Sequence, residues 1–376
     1  MKRFRLLTLF ALGTALIVAV GCTPGSDGEE IVAKPVDGIA PVFDDGTSRY
    51  SAAPSVMQTD EQTRYVYYTA NRTPDDADSA VMVRKATLQN GVWTYEERKT
   101  LLEPSEAGWD SVAVSDPSVI CGSFGYDGQT YSYLMAYQGR SGYQDRNHGI
   151  GFAVGNAPDG EFLRIPECVL AYDRTLYGDA YGYGNPSLVS YDNASKFRLF
   201  YTAGDPAGTA EYFVELDGAD LGSLVVPAEQ AVTVSGLTEA DPSAAPTFRD
   251  ADFALDGETL IAVRNRYPTG EAPALPTAVQ VVGMPVSNLY TVAAGTQWTV
   301  IAAEIASFDL SDYENDRTGW QRIYSPALVR DAYGRLCGEG IGLYLTVTAF
   351  DTDGTYLHYQ TIVETAVSYN GLEALS

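Results

Sequence analysis

The chain has 376 residues, of which 24 are Lys or Arg and 49 are Asp or Glu, so its formal net charge is −25. This acidic excess argues against a nucleic-acid partner, because phosphate binding needs clustered basic side chains. No Lys follows a Gly, and the only His residues are His148 and His358, so the sequence excludes a Walker-type phosphate loop and an HExxH zinc site.

The first 21 residues have the pattern of an export signal. Three basic residues within Met1–Arg5 precede the apolar run Leu6–Val20, which is too short to cross a bilayer comfortably. The run ends in Ala19-Val20-Gly21-Cys22, which resembles the lipobox of bacterial lipoproteins, where the Cys is lipidated and becomes the mature N-terminus. The alternative is an ordinary secretory signal that happens to contain a Cys.

The lipobox resemblance implies a location. We expect a chain anchored by lipid at Cys22 in a bacterial cell envelope, and Thr23 in place of Asp after the Cys resembles the outer-membrane sorting pattern. Residues 22–35 are polar and contain Gly and Pro, so we predict a flexible tether. The expected partners are therefore a lipid bilayer through the anchor and a ligand of the domain that follows.

Three further cysteines follow the tether, namely Cys121, Cys168 and Cys337. In an oxidising compartment, one disulfide and one free thiol are expected from this number. The spacing does not identify a pair, and three buried unpaired thiols remain an alternative.

Five segments of the chain share a pattern of a small or polar residue, then Pro, then a strand-like run. They are Ala53–Met57, Asp116–Ile120, Asn185–Val189, Asp241–Ala245 and Ser325–Val329. An aromatic or β-branched second strand follows each of them. These second strands are predicted over Tyr65–Thr69, Tyr131–Tyr137, Phe197–Thr202, Thr259–Val263 and Leu343–Phe350. Third and fourth strands follow, as in Gly149–Val154 and Phe162–Leu170.

Five units of about four antiparallel strands each predict an all-β fold, a five-bladed β-propeller over residues 36–376 as a single domain. A Pro near the start of each first strand fits this fold, since that position can lack a backbone donor. The alternative is a pair of β-sandwiches, a fold that has no recurrent Pro at a fixed strand position.

The repeat resembles the five-bladed propellers of glycoside hydrolase families 43, 32, 62 and 68. The similar segments are Ser115–Ile120, His148–Val154 and Asn156–Phe162. The resemblance implies a carbohydrate ligand and a catalytic Asp at the start of the first blade. This sequence has Ala53 at that position and Asn185 in the third blade, so it departs from the family pattern.

Glycosidic cleavage needs one protonated and one ionised carboxyl group across the scissile bond. Asp116 and Asp241 precede Pro at the starts of two first strands, and Glu239 lies two residues before Asp241. We therefore predict these three as catalytic candidates. The alternative is structural, because an Asp before Pro often caps its own turn.

Other side chains are predicted on the same propeller face, where they would offer flat rings and hydrogen-bonding groups to a sugar. The predicted substrate-binding residues are Trp109, Arg140, His148, Tyr181, Tyr183, Asn185, Arg266 and Arg322. No cofactor is predicted, and a structural Ca2+ is left open. We expect a monomer. Two functions fit the sequence: a surface-anchored glycoside hydrolase, or a non-catalytic glycan-binding or scaffold lipoprotein.

Overall fold

The structure is a computed structural model, and it describes most of the chain from residue 40 onward. The described residues are 40–41, 50–72, 79–142, 146–205, 208–267, 276, 278–290, 297–302, 304–306, 322–338, 340–348 and 360–368. They all belong to one compact unit, Val32–Ser376. The predicted signal, Cys22 and the tether lie outside the described residues.

Nearly all regular structure in these residues is β-strand. The helices are a short α-helix, α1 (Arg174–Tyr177), and two 3-10 turns at Gly218–Ser223 and Val286–Tyr290. No helix in the described ranges is long and apolar enough to cross a membrane.

Three antiparallel sheets each contain strands that follow one another in the chain. The first holds β7 (Ala113–Tyr126), β8 (Gln129–Arg140), β9 (Gly149–Gly155) and β10 (Phe162–Leu170). The second holds β11 (Gly182–Ser190), β12 (Lys196–Asp205), β13 (Gly208–Asp217) and β14 (Gln230–Ala231). The third holds β15 (Asp252–Asp256), β16 (Thr259–Arg266), β17 (Ala278–Pro285), β18 (Thr299–Val300) and β19 (Ile305–Ala306).

The fourth sheet combines both ends of the described chain. It holds β1 (Ala40–Pro41), β2 (Ser51–Asp60), β3 (Thr63–Asn71), β4 (Ser79–Gln89), β5 (Val92–Tyr95), β6 (Lys99–Leu102), β20 (Arg322–Asp331), β21 (Ile341–Thr348) and β22 (Gln360–Val367). Its two antiparallel halves are joined by the parallel pairing of β2 with β20, from Val56 opposite Val329 to Gln58 opposite Asp331. The early strand β1 pairs with β22, so the beginning of the fold completes the sheet of its end.

Apolar layers fill the space between neighbouring sheets. Ile120 and Phe152 pack with Leu188 and Leu199 in one such layer, and all four side chains are buried. Central strands are buried on both faces, so consecutive residues such as those of β16 are apolar or fully enclosed instead of alternating. This packing explains why the predicted second strands contain long hydrophobic and aromatic runs.

The structure confirms the predicted strand pattern in most respects. The five predicted second strands coincide with β3, β8, β12, β16 and β21, and the third and fourth strands predicted after the second of them are β9 and β10. The described strands form four sheets, and the first strands of all the units converge on one pocket, as set out below. This arrangement is that of a β-propeller and not of two stacked sandwiches.

The cysteines within the described ranges do not pair. Cys121, Cys168 and Cys337 are all free and partly buried. Burial raises the pKa of the Cys168 thiol to about 12 and that of Cys337 to about 11. These thiols therefore stay protonated at neutral pH, and the predicted disulfide is not formed.

Candidate functional site

An Xaa-Pro pair interrupts four first strands at equivalent points. At each pair the register against the second strand shifts, which is the mark of a β-bulge. The residue before Pro has a positive φ in every case: Ala53 48°, Asp116 50°, Asn185 48° and Ser325 42°. Pro fits the bulge because it has no N–H to place in the ladder.

The fifth equivalent residue is Asp250. It has a φ of 51° and lies two residues before β15, and it is followed by Ala251 instead of Pro. The predicted first strand at Asp241-Pro242 is therefore wrong. That Asp-Pro pair belongs to a local turn, whereas Asp250 occupies the position that Asp116 occupies in its own unit.

These five residues, which we call the head residues, line one pocket. Ala53, Asp116, Asn185, Asp250 and Ser325 surround it together with the residues that directly follow them in the chain. The pocket, here the axial pocket, has a volume of about 30 Å³. This is room for a water molecule or a single hydroxyl group and not for a sugar ring.

The backbone of most head residues is fixed by the unit that precedes it. Thr69 Oγ1 accepts a hydrogen bond from the Asp116 N–H at 2.8 Å, and Thr202 Oγ1 accepts one from the Asp250 N–H at 2.8 Å. Thr346 Oγ1 receives the Ala53 N–H at 2.9 Å in the same way. These bonds between sheets hold the strained left-handed backbone and fix the head residues around the axial pocket.

Two head residues carry carboxyl groups, Asp116 and Asp250, and their environments differ. The Asp250 carboxylate accepts hydrogen bonds from Asn185 Nδ2 at 2.5 Å and Asn265 Nδ2 at 3.0 Å. Burial nevertheless raises the pKa of Asp250 above its ordinary value, against the opposing charges of Arg249 and Arg322. Asp116 is only half-buried.

A further carboxyl group lies behind Asp250. Glu211 on β13 is 1% exposed, and its Oε2 accepts a hydrogen bond from Thr202 Oγ1 at 2.9 Å. Burial raises the pKa of Glu211 well above the ordinary value, and the charge of Asp250 adds to the effect. The Thr202 hydroxyl thus links the Glu211 carboxyl group to the Asp250 backbone N–H, and burial raises the pKa of both carboxyl groups.

Two of the predicted catalytic residues lie outside the axial pocket. Asp241 Oδ1 accepts hydrogen bonds from the Ser243 hydroxyl at 2.7 Å and the Ser243 N–H at 2.8 Å, and these bonds lower its pKa. Glu239 is 2% exposed and pairs with Arg264 at 2.8 Å. Its other oxygen accepts the Tyr267 N–H at 2.9 Å, so Glu239 holds a loop and the adjoining strand together.

The predicted aromatic binders are divided among different places. Trp109 stacks on Tyr137 with ring centroids 5.5 Å apart, in a space that a Cβ on Gly139 or Gly151 would fill. It lines a separate cavity of about 570 Å³. Tyr183 lines a third cavity, described below, so neither ring borders the axial pocket.

Tyr181 is the aromatic residue that the structure places beside a head residue. Its hydroxyl accepts a hydrogen bond from Asn185 Nδ2 at 2.8 Å and donates one to Gln138 Oε1 at 2.9 Å. The buried His148 packs its ring edge-to-face against Tyr181 at 4.9 Å. His148, Tyr181 and Asn185, three of the predicted substrate-binding residues, therefore form one connected group.

The three predicted arginines have different surroundings. Arg266 is buried, pairs with Glu304 and donates to the Glu239 carbonyl at 3.1 Å. Arg140 donates to the Gly142 carbonyl at 2.6 Å. Arg322 lies over the Tyr324 ring at 4.0 Å, and its charge lowers the pKa of Asp250, so it is the arginine of the three that acts on the axial pocket.

Sequence reasoning missed Asp250 and Glu211. Asp250 lacks the following Pro that identified the other head residues, although its distance from the second strand β16 could have revealed it. Glu211 gives no sequence signal, since an acidic residue within a strand is usually exposed. No group of three or more His, Cys, Asp or Glu side chains is placed to hold a metal ion within the described ranges.

Comparison with known proteins gives structural neighbours and no sequence relatives. The chain matches no protein-family model and no curated sequence. An α-L-arabinofuranosidase from Podospora anserina, solved with cellotriose, aligns over 87% of this chain and 94% of its own, with a TM-score of 0.56 and 9% identity. A family-43 glycoside hydrolase from Xanthomonas citri, solved with xylotriose, covers 87% and 89% with a TM-score of 0.55 and 13% identity.

A family-117 glycoside hydrolase from Zobellia galactanivorans is also similar, over 88% of this chain and 90% of its own, with a TM-score of 0.51 and 14% identity. These proteins belong to five-bladed β-propeller families of glycoside hydrolases. The likeness predicted from the sequence is therefore confirmed at the level of the fold.

Proposed function

We propose that this chain is a five-bladed propeller that cleaves a glycosidic bond at its axial pocket, with Asp250 as the acid and Asp116 as the base. Three Asp residues line the axial pocket, and one of them, Asp252, is paired with Arg330 at 3.0 Å. The observation that carries this proposal is that the carboxyl groups of the other two, Asp116 and Asp250, have different environments in one pocket. The fold is shared with glycoside hydrolases, two of which were solved with cellotriose and xylotriose, and this supports a carbohydrate ligand.

The blade count rests on the head residues. Five such residues occur in the described strands, one for each unit, and the parallel contact between β2 and β20 divides the largest sheet into two of those units. In this division β1 is the outer strand of the last blade, so the two ends of the domain close the ring.

The chemistry follows from the two environments. Asp250, with its raised pKa, would donate a proton to the glycosidic oxygen, and Asp116 would accept a proton from the attacking water as that water bonds to the anomeric carbon. Because the pocket holds little more than one hydroxyl group, the sugar ring would lie over its mouth, near Tyr181 and Arg322. A carboxyl separation of about 6.5–9.5 Å would fit inversion, and about 5–5.5 Å would fit retention.

The second candidate function is glycan binding without hydrolysis. It is favoured by Ala53, which stands where the related enzymes carry a catalytic Asp, and by Asn185, whose amide holds the Asp250 carboxylate at 2.5 Å. A carboxyl group held in this way can orient a sugar hydroxyl without transferring a proton.

A hydrolysis screen on plant and bacterial polysaccharides separates these functions. If the chain is a hydrolase, Asp116→Asn and Asp250→Asn should each lower turnover by about 10²–10⁴-fold with the fold intact by circular dichroism. Asp241→Asn, in its exposed turn, is the matched control and should keep full activity. Glycan binding without turnover by the unmodified protein would establish the second function and end the first.

We also propose that the domain is held on a bacterial envelope, with the outer membrane as the expected site, by lipid on Cys22. The lipobox-like Ala19–Cys22 and the polar segment after it support this proposal. The anchor would keep the axial pocket outside the cytoplasm, where polysaccharides are found. Its test is given in the Discussion.

A further inference from the structure

The third cavity, which Tyr183 lines, lies on the sheet of β11 to β14, apart from the axial pocket. Its volume is about 370 Å³, large enough for a monosaccharide-sized ligand. We call it the tyrosine pocket. The side chains that characterise it are Tyr172, Tyr183, Asp205, Thr209, Tyr212 and Glu229.

Two glycines are among the residues that line the tyrosine pocket. Gly182 and Gly204 have no side chain there, and a Cβ at Gly204 would lie 2.9 Å from the Tyr181 Cβ. Gly182 has a φ of 91° and its Cβ would lie 2.4 Å from the His148 carbonyl oxygen. Gly182 and Gly204 therefore line the pocket with backbone alone, as its floor, and close contacts with His148 and Tyr181 leave no room for a side chain at either position. Aromatic rings form the walls.

Two of the walls meet almost at a right angle. The rings of Tyr172 and Tyr183 are 6.2 Å apart with an interplanar angle of 72°. Tyr212 stacks on the buried Tyr201 at 6.2 Å, and the Tyr201 hydroxyl donates to Glu229 Oε2 at 2.7 Å. This bond fixes the Glu229 carboxylate at the edge of the pocket, next to the aromatic walls.

The charged side chains that line the tyrosine pocket are all acidic. Asp205 and Glu229 line it, while no Lys, Arg or His is among its described lining residues. Aromatic faces and carboxylates both attract a cation, and the negative field of an acidic chain adds to this attraction. The same groups repel phosphates, sulfates and uronic acids, because no basic side chain in this lining compensates their charge.

We propose that the tyrosine pocket binds an organic ammonium group carried by a ligand of about monosaccharide size. The ammonium would lie against the ring faces and within reach of Glu229, and the remainder of the ligand would fill the cavity above the glycine floor. An amino sugar and a quaternary ammonium compound both supply this chemistry. The proposal does not depend on hydrolysis at the axial pocket.

Isothermal titration of the full chain at pH 6 with three probes tests this proposal. Glucosamine and choline carry the positive charge, and glucose is the neutral match of glucosamine. We expect at least one cation to bind, with glucose at least tenfold weaker. Binding of glucosamine alone identifies an amino-sugar site, and binding of choline alone identifies a quaternary ammonium site. Equal binding of glucose and glucosamine, or binding of none of the probes, overturns the proposal.

Variants locate the binding. Tyr183→Leu and Glu229→Gln, a change at an exposed residue, should each weaken cation binding about tenfold or more. Tyr191→Leu, directly after β11 and outside the pocket, should not. Glu229→Gln keeps the test valid if Tyr183→Leu fails to fold. Asp250→Asn should leave cation binding unchanged, because Asp250 lines the axial pocket and not the tyrosine pocket. A loss of hydrolysis at the axial pocket can therefore be distinguished from a loss of cation binding at the tyrosine pocket. Cation binding that persists in both pocket variants would refute the assignment.

Discussion

Arg330 Nη1 lies 3.0 Å from Asp252 Oδ1, and this buried ion pair joins the first strands of two units. The same guanidinium donates to the Phe253 carbonyl at 2.7 Å, the Leu188 carbonyl at 3.1 Å and the Ser118 hydroxyl at 3.4 Å. One side chain of β20 thus binds β7, β11 and β15. The centre of the fold is closed by a charged network instead of by apolar packing alone.

We predict that Arg330→Met lowers the free energy of unfolding by about 3–5 kcal/mol. The variant keeps the length of the side chain but leaves the Asp252 carboxylate without its partner in a buried site. Urea denaturation at pH 7 measures the loss. The double variant Arg330→Met with Asp252→Asn should recover part of it, because the second change removes the uncompensated charge.

The matched control for Arg330 is Arg335→Met. Arg335 lies in the turn that follows β20, and its guanidinium donates to Asn193 Oδ1 at 2.9 Å. An exposed contact of this type should cost about 0.5 kcal/mol or less. If the two variants lost the same free energy of unfolding, the buried ion pair would contribute no more to stability than the exposed contact.

A second prediction concerns Ala53→Asp, which adds a carboxyl group to an axial pocket already lined by Asp116, Asp250 and Asp252. Asp is tolerated at this positive φ, as Asp116 and Asp250 show. A nearby negative charge disfavours further ionisation, so the pKa of Asp250 should rise. The basic limb of the pH–rate profile should then move to higher pH. If turnover is undetectable, the same shift can be followed by NMR of labelled Asp carboxyl groups.

The isosteric variant Ala53→Asn is the control for that experiment. It adds the same bulk and the same tolerance of a left-handed backbone without the charge. An unchanged Asp250 titration in Ala53→Asp would mean that the first and fourth head residues do not interact across the axial pocket.

The sequence was sufficient to predict most of the strands and four of the five head residues, but it placed the first strand of the fourth unit at Asp241-Pro242 instead of at β15. Each Xaa-Pro pair marks a β-bulge at which no backbone N–H is required for the ladder. Such a local preference for Pro can be recognised from a few residues of sequence. Asp241-Pro242 has the same residue types as Asp116-Pro117, but the Asp241 carboxylate accepts a hydrogen bond from the Ser243 N–H within a local turn. A local turn and a bulge therefore gave the same signal, and only the pairing of β15 with β16 distinguishes them.

The chemistry of the site could not be predicted in the same way. The raised pKa of Asp250 depends on burial by units that are far apart in the chain, and the opposing charge of Arg322 comes from the last of them. Trp109 was likewise predicted to stack on a sugar. In the structure its ring packs instead against Gly139 and Gly151 of the sheet of β7 to β10, where a side chain on either glycine would clash with it. Such properties arise only after the sheets have packed.

A third prediction tests the proposed anchor. Cys22→Ser removes the thiol that would receive the lipid, so labelled fatty acid should no longer enter the protein, and the chain should be released or remain unprocessed. Cys168→Ser is the control, because that thiol lies in the folded domain with a pKa of about 12. Fatty acid incorporation that persists in Cys22→Ser would show that the lipobox interpretation is wrong.

The last prediction concerns Glu211, whose pKa is raised well above its ordinary value by burial. Below about pH 4 the carboxyl group is protonated in both the folded and the unfolded chain, so it adds no pH dependence. As the pH rises further, only the unfolded chain loses this proton, and the folded state becomes less stable by about 1.4 kcal/mol per pH unit until Glu211 itself ionises.

Glu211→Gln cannot titrate and still offers Thr202 an acceptor. The variant should therefore gain stability relative to the original chain between pH 4 and neutral pH, as measured by urea denaturation over this range. Glu258→Gln, on an exposed turn, should not show the gain. A difference between Glu211→Gln and the original chain that stays constant with pH would mean that Glu211 ionises equally in the two states, contrary to its buried position.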